Sequence, residues 1–225
     1  YNIVAKKWYC GIFCIIHFFS VERKFLLEEL YMIILADTKQ KPGYHPEEDA
    51  LQKNGHSLVR LKLPVGDYCV MTTRCMDMFK NREHEIYTSN KFFDTHKSKN
   101  IKLQPQDTYG TYTISVDVKL NCRELQSNLL SGRFGRRYRF ERECMRARNM
   151  GVKLYIVIAD DAVKCEEDFR HLKKYGSEEE CGQEMLNKME DFVKKYGCTF
   201  LFTTKDRLPS VIEQILMEEQ LPWAV

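Results

Sequence analysis

Asp117, Val118 and Lys119 close a strand-like run that begins at Thr111 and leads through a polar turn into an arginine-rich segment. Side chains two residues apart on a strand leave the same face, so Asp117 and Lys119 point to one side. A carboxylate placed there can hold a divalent cation and an ammonium can handle a proton, so the two can converge on one phosphate. That is the chemistry of phosphodiester hydrolysis. Asp-x-Lys also occurs on solvated strand faces, so the weight falls on its neighbours.

Two neighbours bear on it. The alternating apolar run Leu58 to Leu63 is followed by Pro64-Val65-Gly66-Asp67-Tyr68. Here Asp67 stands just past a glycine that can take backbone angles closed to other residues. A plain hairpin turn would also read Gly-Asp. Ile33-Ile34-Leu35-Ala36-Asp37 is a short buried-type strand ending in an acid, at the edge where open α/β sheets place their sites. Three strand-end acids and one lysine are therefore expected on a common sheet.

In this order the pieces resemble the XPF-type nuclease domain, named for the xeroderma pigmentosum group F endonuclease. That domain lies within the PD-(D/E)xK restriction-endonuclease-like superfamily. Asp37-Thr38-Lys39-Gln40 is similar to the family's Asp-Thr-Arg-Glu start, Val65 to Tyr68 to its Val-Gly-Asp-Tyr box, and Asp117-Val118-Lys119 to its Glu-Arg-Lys box. Glu124-Leu125 and Gly132-Arg133 fall where the family carries an acidic-Leu pair and a Gly-Arg. Arg139 to Arg148 looks like the helix of the compact bacterial and phage branch.

The resemblance implies an α/β fold, a central mixed sheet flanked by helices, and a metal-dependent endonuclease cutting branched or flapped DNA in repair, recombination or phage DNA processing. It implies that Asp67 and Asp117 ligand Mg²⁺ or Mn²⁺ with a backbone carbonyl near Val118, that Asp37 is an accessory acid at the metal, and that Glu124 assists. Lys119 would orient or deprotonate the attacking water. A homodimer through this domain is also implied. Neither a small-molecule cofactor nor a membrane partner is expected.

The chain departs from the pattern in places. Lys39 and Gln40 replace the usual Arg and Glu, and Asp117 is one methylene shorter than the family glutamate. Asp94 and Asp107 lie nearer to the Asp-x-Lys than Asp67 does, but Asp67 alone stands in the matching box. Val21-Glu22-Arg23-Lys24 spells the family signature yet precedes Asp37, so it is read as coincidence.

Around these residues the periodicity predicts strands near 32–36, 57–63, 67–72, 111–119, 153–159 and 198–203. Helices are predicted near 46–54, 122–131, 137–149, 180–196 and 207–219. Residues 32–225 are expected to form a single domain carrying an insertion at about 72–110. Residues 1–31 are expected to be either a translated leader or the end of a longer protein. The apolar part of that segment, Trp8 to Phe19, is interrupted by His17 and falls short of the roughly 20 residues a bilayer span needs.

The insertion mixes lysines with Phe79, Tyr87, Phe92 and Phe93, which fits stacking on a single strand and small satellite packing equally. Asp160, Asp161, Glu166, Glu167, Asp168 and Glu178 to Glu180 are read as loop solvation.

Net charge is 35 minus 32, or +3, so bulk charge does not select a polyanionic partner, but its distribution does. Arg133, Arg136, Arg137, Arg139, Arg142, Arg146 and Arg148 crowd one segment against Glu141 and Glu143 alone, a basic surface suited to phosphates. A solvated helix with ion pairs such as Arg139 to Glu143 is the plainer reading for a helix in general, but next to a metal site contact with backbone phosphates is the better one. Nine cysteines without a Cys-x-x-Cys pair fit reduced thiols in a cytoplasm. The rival from another class is a nucleic-acid-binding module of the same fold with little or no cleavage. An RNA-directed nuclease of the superfamily is a third reading.

Overall fold

The computed structural model describes residues 31–39, 45–78, 108–131, 136–163 and 166–220. Its elements are β1 (Ile33–Asp37), α1 (Pro46–Lys53), β2 (Ser57–Leu61), β3 (Tyr68–Val70), α2 (Thr73–Met78), β4 (Ile114–Lys119), α3 (Cys122–Leu130), α4 (Arg136–Met150), β5 (Lys153–Ala159), α5 (Glu166–Arg170), α6 (Gly182–Tyr196), β6 (Thr199–Thr203) and α7 (Leu208–Gln220). The six strands form one mixed sheet in the order β2-β1-β3-β4-β5-β6. The fold is α/β with helices on both faces, as the sequence predicts.

Strand β3 is antiparallel to both of its neighbours, and every other pairing is parallel. The start of β3 therefore lies at the same sheet edge as the ends of β1, β2, β4, β5 and β6. This single reversal gathers Asp37, Asp67, Asp117 and Lys119 at one edge.

Burial on both faces explains the continuous apolar run of β5, in which only Lys153 is exposed. Leu154, Ile156 and Ile158 join a core with Leu125 and Leu129 of α3, Phe140 and Cys144 of α4, and Met185 and Phe192 of α6. Tyr155, Val157 and Ala159 join the opposite core with Leu51 of α1 and Ile212 and Leu216 of α7. In β4, Ile114, Val116 and Val118 belong to that second core. Alternation then turns Ser115, Asp117 and Lys119 toward α3 and α4.

All six predicted strands and five predicted helices are present, with shifted ends. Strand β3 is shorter than the expected 67–72, although Met71 N–H still bonds the Ile33 carbonyl at 2.8 Å, in register with the pair Ile34 and Val70. Helices α2 and α5 were not expected. They are six and five residues long, too short to show a helical period, and Cys75 and Phe169 are their buried anchors. Helix α2 opens the expected insertion, whose residues 79–107 lie outside the described ones, as do residues 1–30 of the expected leader. Thr72 Oγ1 donates to the Thr111 carbonyl and ties the two flanks of the insertion together.

Cys69, Cys75, Cys122, Cys144, Cys181 and Cys198 are buried free thiols. Among the described residues no helix is long and apolar enough to cross a membrane.

The turn into β3 depends on Gly66. Its φ is +70°, and a Cβ there would lie 2.2 Å from Ser115 Oγ and 2.9 Å from the Val116 carbonyl oxygen. Gly66→Ala is expected to lower the unfolding free energy by roughly 2–5 kcal/mol, from backbone strain and overpacking together. Urea unfolding measures this, and a midpoint equal to the parent's would show that the turn can relax.

Candidate active site

The backbone of Asp67 is held from both sides. Its N–H donates to the Val116 carbonyl at 2.7 Å and its carbonyl accepts from Asp37 N–H at 2.8 Å. Its carboxylate Oδ2 accepts from Val118 N–H at 2.8 Å, which aims the side chain along the end of β4. Strand β3 pairs with β1 on one side and β4 on the other, which brings Asp37 and the end of β4 to either side of Asp67. Ser115 Oγ lies 2.9 Å from the Val65 carbonyl and 3.1 Å from that of Tyr68, bracing the turn from below.

Asp117 and Lys119 are buried, 3% and 7% exposed. Lys119 Nζ donates to Asp117 Oδ1 at 2.6 Å and stands 5.6 Å from the centre of the Phe140 ring. Phe140 in turn stacks on Phe192 at 5.3 Å, so the ammonium rests on a rigid aromatic floor. Burial pushes the Asp117 carboxyl up to about 7, against the pull of Lys119, and the neighbouring Asp67 carboxylate adds to the rise. Burial alone would lower the Lys119 ammonium, but Asp117, Asp67 and Glu124 together hold it above its usual range. An ammonium so held donates hydrogen bonds and does not accept a proton.

Asp117 Oδ2 is buried with no hydrogen-bond partner. An orphaned carboxylate oxygen beside a second carboxylate is a fitting donor set for a hard divalent cation. Among the described residues no group of three or more His, Cys, Asp or Glu is arranged to hold a metal. Two carboxylates nonetheless suit Mg²⁺, which is commonly held by one or two of them plus water and substrate phosphate.

The other expected residues divide. Asp37 reaches the same edge, but its carboxylate is engaged by Lys39 Nζ at 3.3 Å and by the Lys39 and Leu63 N–H groups, each at 3.4 Å. Glu124 caps helix α3. Its Oε2 accepts from Leu120 N–H at 3.1 Å while Asn121 Oδ1 accepts from Glu124 N–H at 2.9 Å, a near-reciprocal capping box. Asp160, read from sequence as loop solvation, instead bonds Cys122 N–H at 2.8 Å and caps the same helix.

On α4, Phe140, Cys144 and Ala147 are buried as the periodicity requires, and Arg139 and Arg142 are exposed. Arg137 is half-buried. Arg146 turns inward, with Nε donating to the Pro64 carbonyl at 3.0 Å. Arg133 and the side chain of Arg136 lie outside the described residues.

Glu143 is the site neighbour that sequence reasoning missed. Its Oε1 accepts from Gly66 N–H at 2.9 Å in place of pairing with Arg139, and it feels the charges of Asp117 and Lys119. Its position one residue before the buried Cys144 and three after Phe140 was the available signal.

No family model matches the chain, and no curated protein matches it. Among solved structures the chain is similar to XPF from Aeropyrum pernix, with a TM-score of 0.49 and 14% sequence identity, the match covering 84% of this chain. It spans 65% of the length of that chain.

The raised Asp117 carboxyl has a stability consequence for the metal-free protein. The folded state binds this proton more tightly than the unfolded chain, so the contribution is fully present below about pH 4 and is lost as pH rises through 7. Asp117→Asn is expected to remove a fall of roughly 2–4 kcal/mol across that window. Urea unfolding in EDTA at several pH values tests this, and parallel parent and variant curves would contradict it.

Proposed function

We propose that the chain is a divalent-metal-dependent endonuclease that hydrolyses phosphodiester bonds in DNA. The observation that carries this reading is the orphaned Asp117 Oδ2, set beside Asp67 and backed by the Lys119 ammonium at one sheet edge. Asp67, Asp117 and a backbone carbonyl near Val118 would hold Mg²⁺ or Mn²⁺. The ion, when bound, supplies Lewis-acid polarisation of the phosphate and an activated water.

The chain's own residues do the rest. Lys119 keeps its proton at neutral pH, so it orients the water and offsets charge on the phosphoryl oxygens; general-base removal of the proton is the less consistent role. Asp37 steadies the Asp67 backbone through its own N–H and stands as an accessory acid at the metal. Glu124 acts through the cap of α3. Exposed Arg139 and Arg142 offer charge to backbone phosphates, which positions a duplex without reading its sequence. Arg133, Arg136 and Arg137 extend that surface in the sequence, while Arg146 serves the turn. Branched or flapped DNA as substrate, in repair, recombination or phage DNA processing, rests on the family resemblance of the motifs. So does a homodimer, while a cytoplasmic setting rests on the nine cysteines without a Cys-x-x-Cys pair.

A binding module with little cleavage is the second reading. It is favoured by the lack of a three-ligand acidic cluster among the described residues.

Cleavage of labelled flap, fork, Holliday-junction and linear DNA by the full chain, in Mg²⁺, Mn²⁺ or EDTA, separates the two. Metal-dependent cutting is expected, reduced by about 100-fold or more in Asp67→Asn, Asp117→Asn and Lys119→Ala with DNA binding retained. Binding without cutting in every metal would favour the module. Matched RNA junctions report on the RNA-directed alternative. For the homodimer, sedimentation at micromolar concentration with and without DNA should give twice the mass of one chain, and a monomer in both would discard it.

A further inference from the structure

Strand β3 is three residues long, and its ladder to β4 rests on the pair Tyr68 and Val116. Asp67 lies just ahead of it, its own backbone held by Val116 and Asp37. A further constraint, on the peptides that lead into Asp67, comes from helix α4. Glu143 Oε1 accepts from Gly66 N–H at 2.9 Å, and Arg146, on the same helical face three residues later, donates to the Pro64 carbonyl at 3.0 Å.

The sheet supplies further hydrogen bonds to the turn. Ser115 reaches the Val65 and Tyr68 carbonyls, Val116 the Asp67 N–H, and Asp37 the Asp67 carbonyl. Gly66 N–H points the other way, to the helix.

We propose that Glu143 is a positioning residue of this site. By gripping the Gly66 amide it steadies the turn that carries Asp67, whose carboxylate lies against the end of β4, where Asp67 and Asp117 would hold a divalent cation. The inference rests on the metal-dependent reading above and adds to it a residue outside the Asp-x-Lys and Gly-Asp motifs. Partners that orient a metal ligand typically change metal affinity or activity by about 10–100-fold when removed.

The test is Mn²⁺ titration of the full chain by calorimetry, with hydrogen exchange of the peptide containing Gly66 and with kcat and KM for the best DNA substrate. It compares the parent, Asp67→Asn, Glu143→Ala and Glu143→Gln. Glutamine keeps an acceptor at the same reach and removes the charge. Glu143→Ala is expected to weaken Mn²⁺ binding about tenfold or more, lower kcat with KM for DNA unchanged, and speed exchange at Gly66. Glu143→Gln is expected to restore all three to near the parent values.

Parent-like Mn²⁺ binding and kcat in Glu143→Ala would overturn the inference alone. Equal loss in Glu143→Gln and Glu143→Ala would overturn it in favour of a need for the charge itself. A parent chain that binds no Mn²⁺ would remove the metal-dependent reading and this inference together.

Discussion

Everything at the candidate site depends on one reversed strand. Because β3 runs against β1 and β4, the residue that precedes it enters the sheet between their ends, and its peptide group bonds to both neighbours. A parallel β3 would have put Asp67 at the opposite edge, a strand length from Lys119. The reversal demands a tight turn, which demands the left-handed Gly66 packed on Ser115. Backbone amides that must be satisfied in a buried setting thus do the positioning that long side chains could not.

The second constraint is electrostatic. A buried ion pair contributes little to stability, because the desolvation of both partners offsets their attraction. Asp117 and Lys119 are such a pair, with Asp67 and Glu143 adding negative charge around them. The arrangement makes better sense as chemistry than as stabilisation, since a cation would relieve the crowding and occupy the orphaned oxygen. Phe140 and Phe192 form a dry floor that limits how far water can screen the pair.

The opposite face of β3 is anchored as well. Tyr68 hydroxyl donates to Glu47 Oε1 at 3.0 Å, and Glu48 pairs with Arg60, so the first turn of α1 holds the strand from behind. The turn is therefore held by α4 through Pro64 and Gly66, and the strand it feeds by α1 through Tyr68 as well as by its ladder.

The sequence by itself determined the identity of the strands and main helices, because burial on one or both faces writes its period directly into the residues. Six strands and the amphipathic core of α4, with Phe140, Cys144 and Ala147 inside, were legible for that reason. So was the grouping of Asp37, Asp67, Asp117 and Lys119, since Asp37 ends a strand, Asp67 precedes one, Lys119 ends another, and alternation puts Asp117 on the face of Lys119. Helices α2 and α5 were not legible, because five or six residues with one buried anchor carry no period.

Nor were the partners of polar side chains. Arg146 read as part of a phosphate-binding surface and Glu143 as an ion-pair partner of Arg139, yet one grips Pro64 and the other Gly66, and Asp160, read as loop solvation, caps α3. Only the tertiary structure decided these, because a hydrogen bond between residues 38 to 82 positions apart depends on how helices and sheet pack together. A local pattern of residues carries no information about that distance.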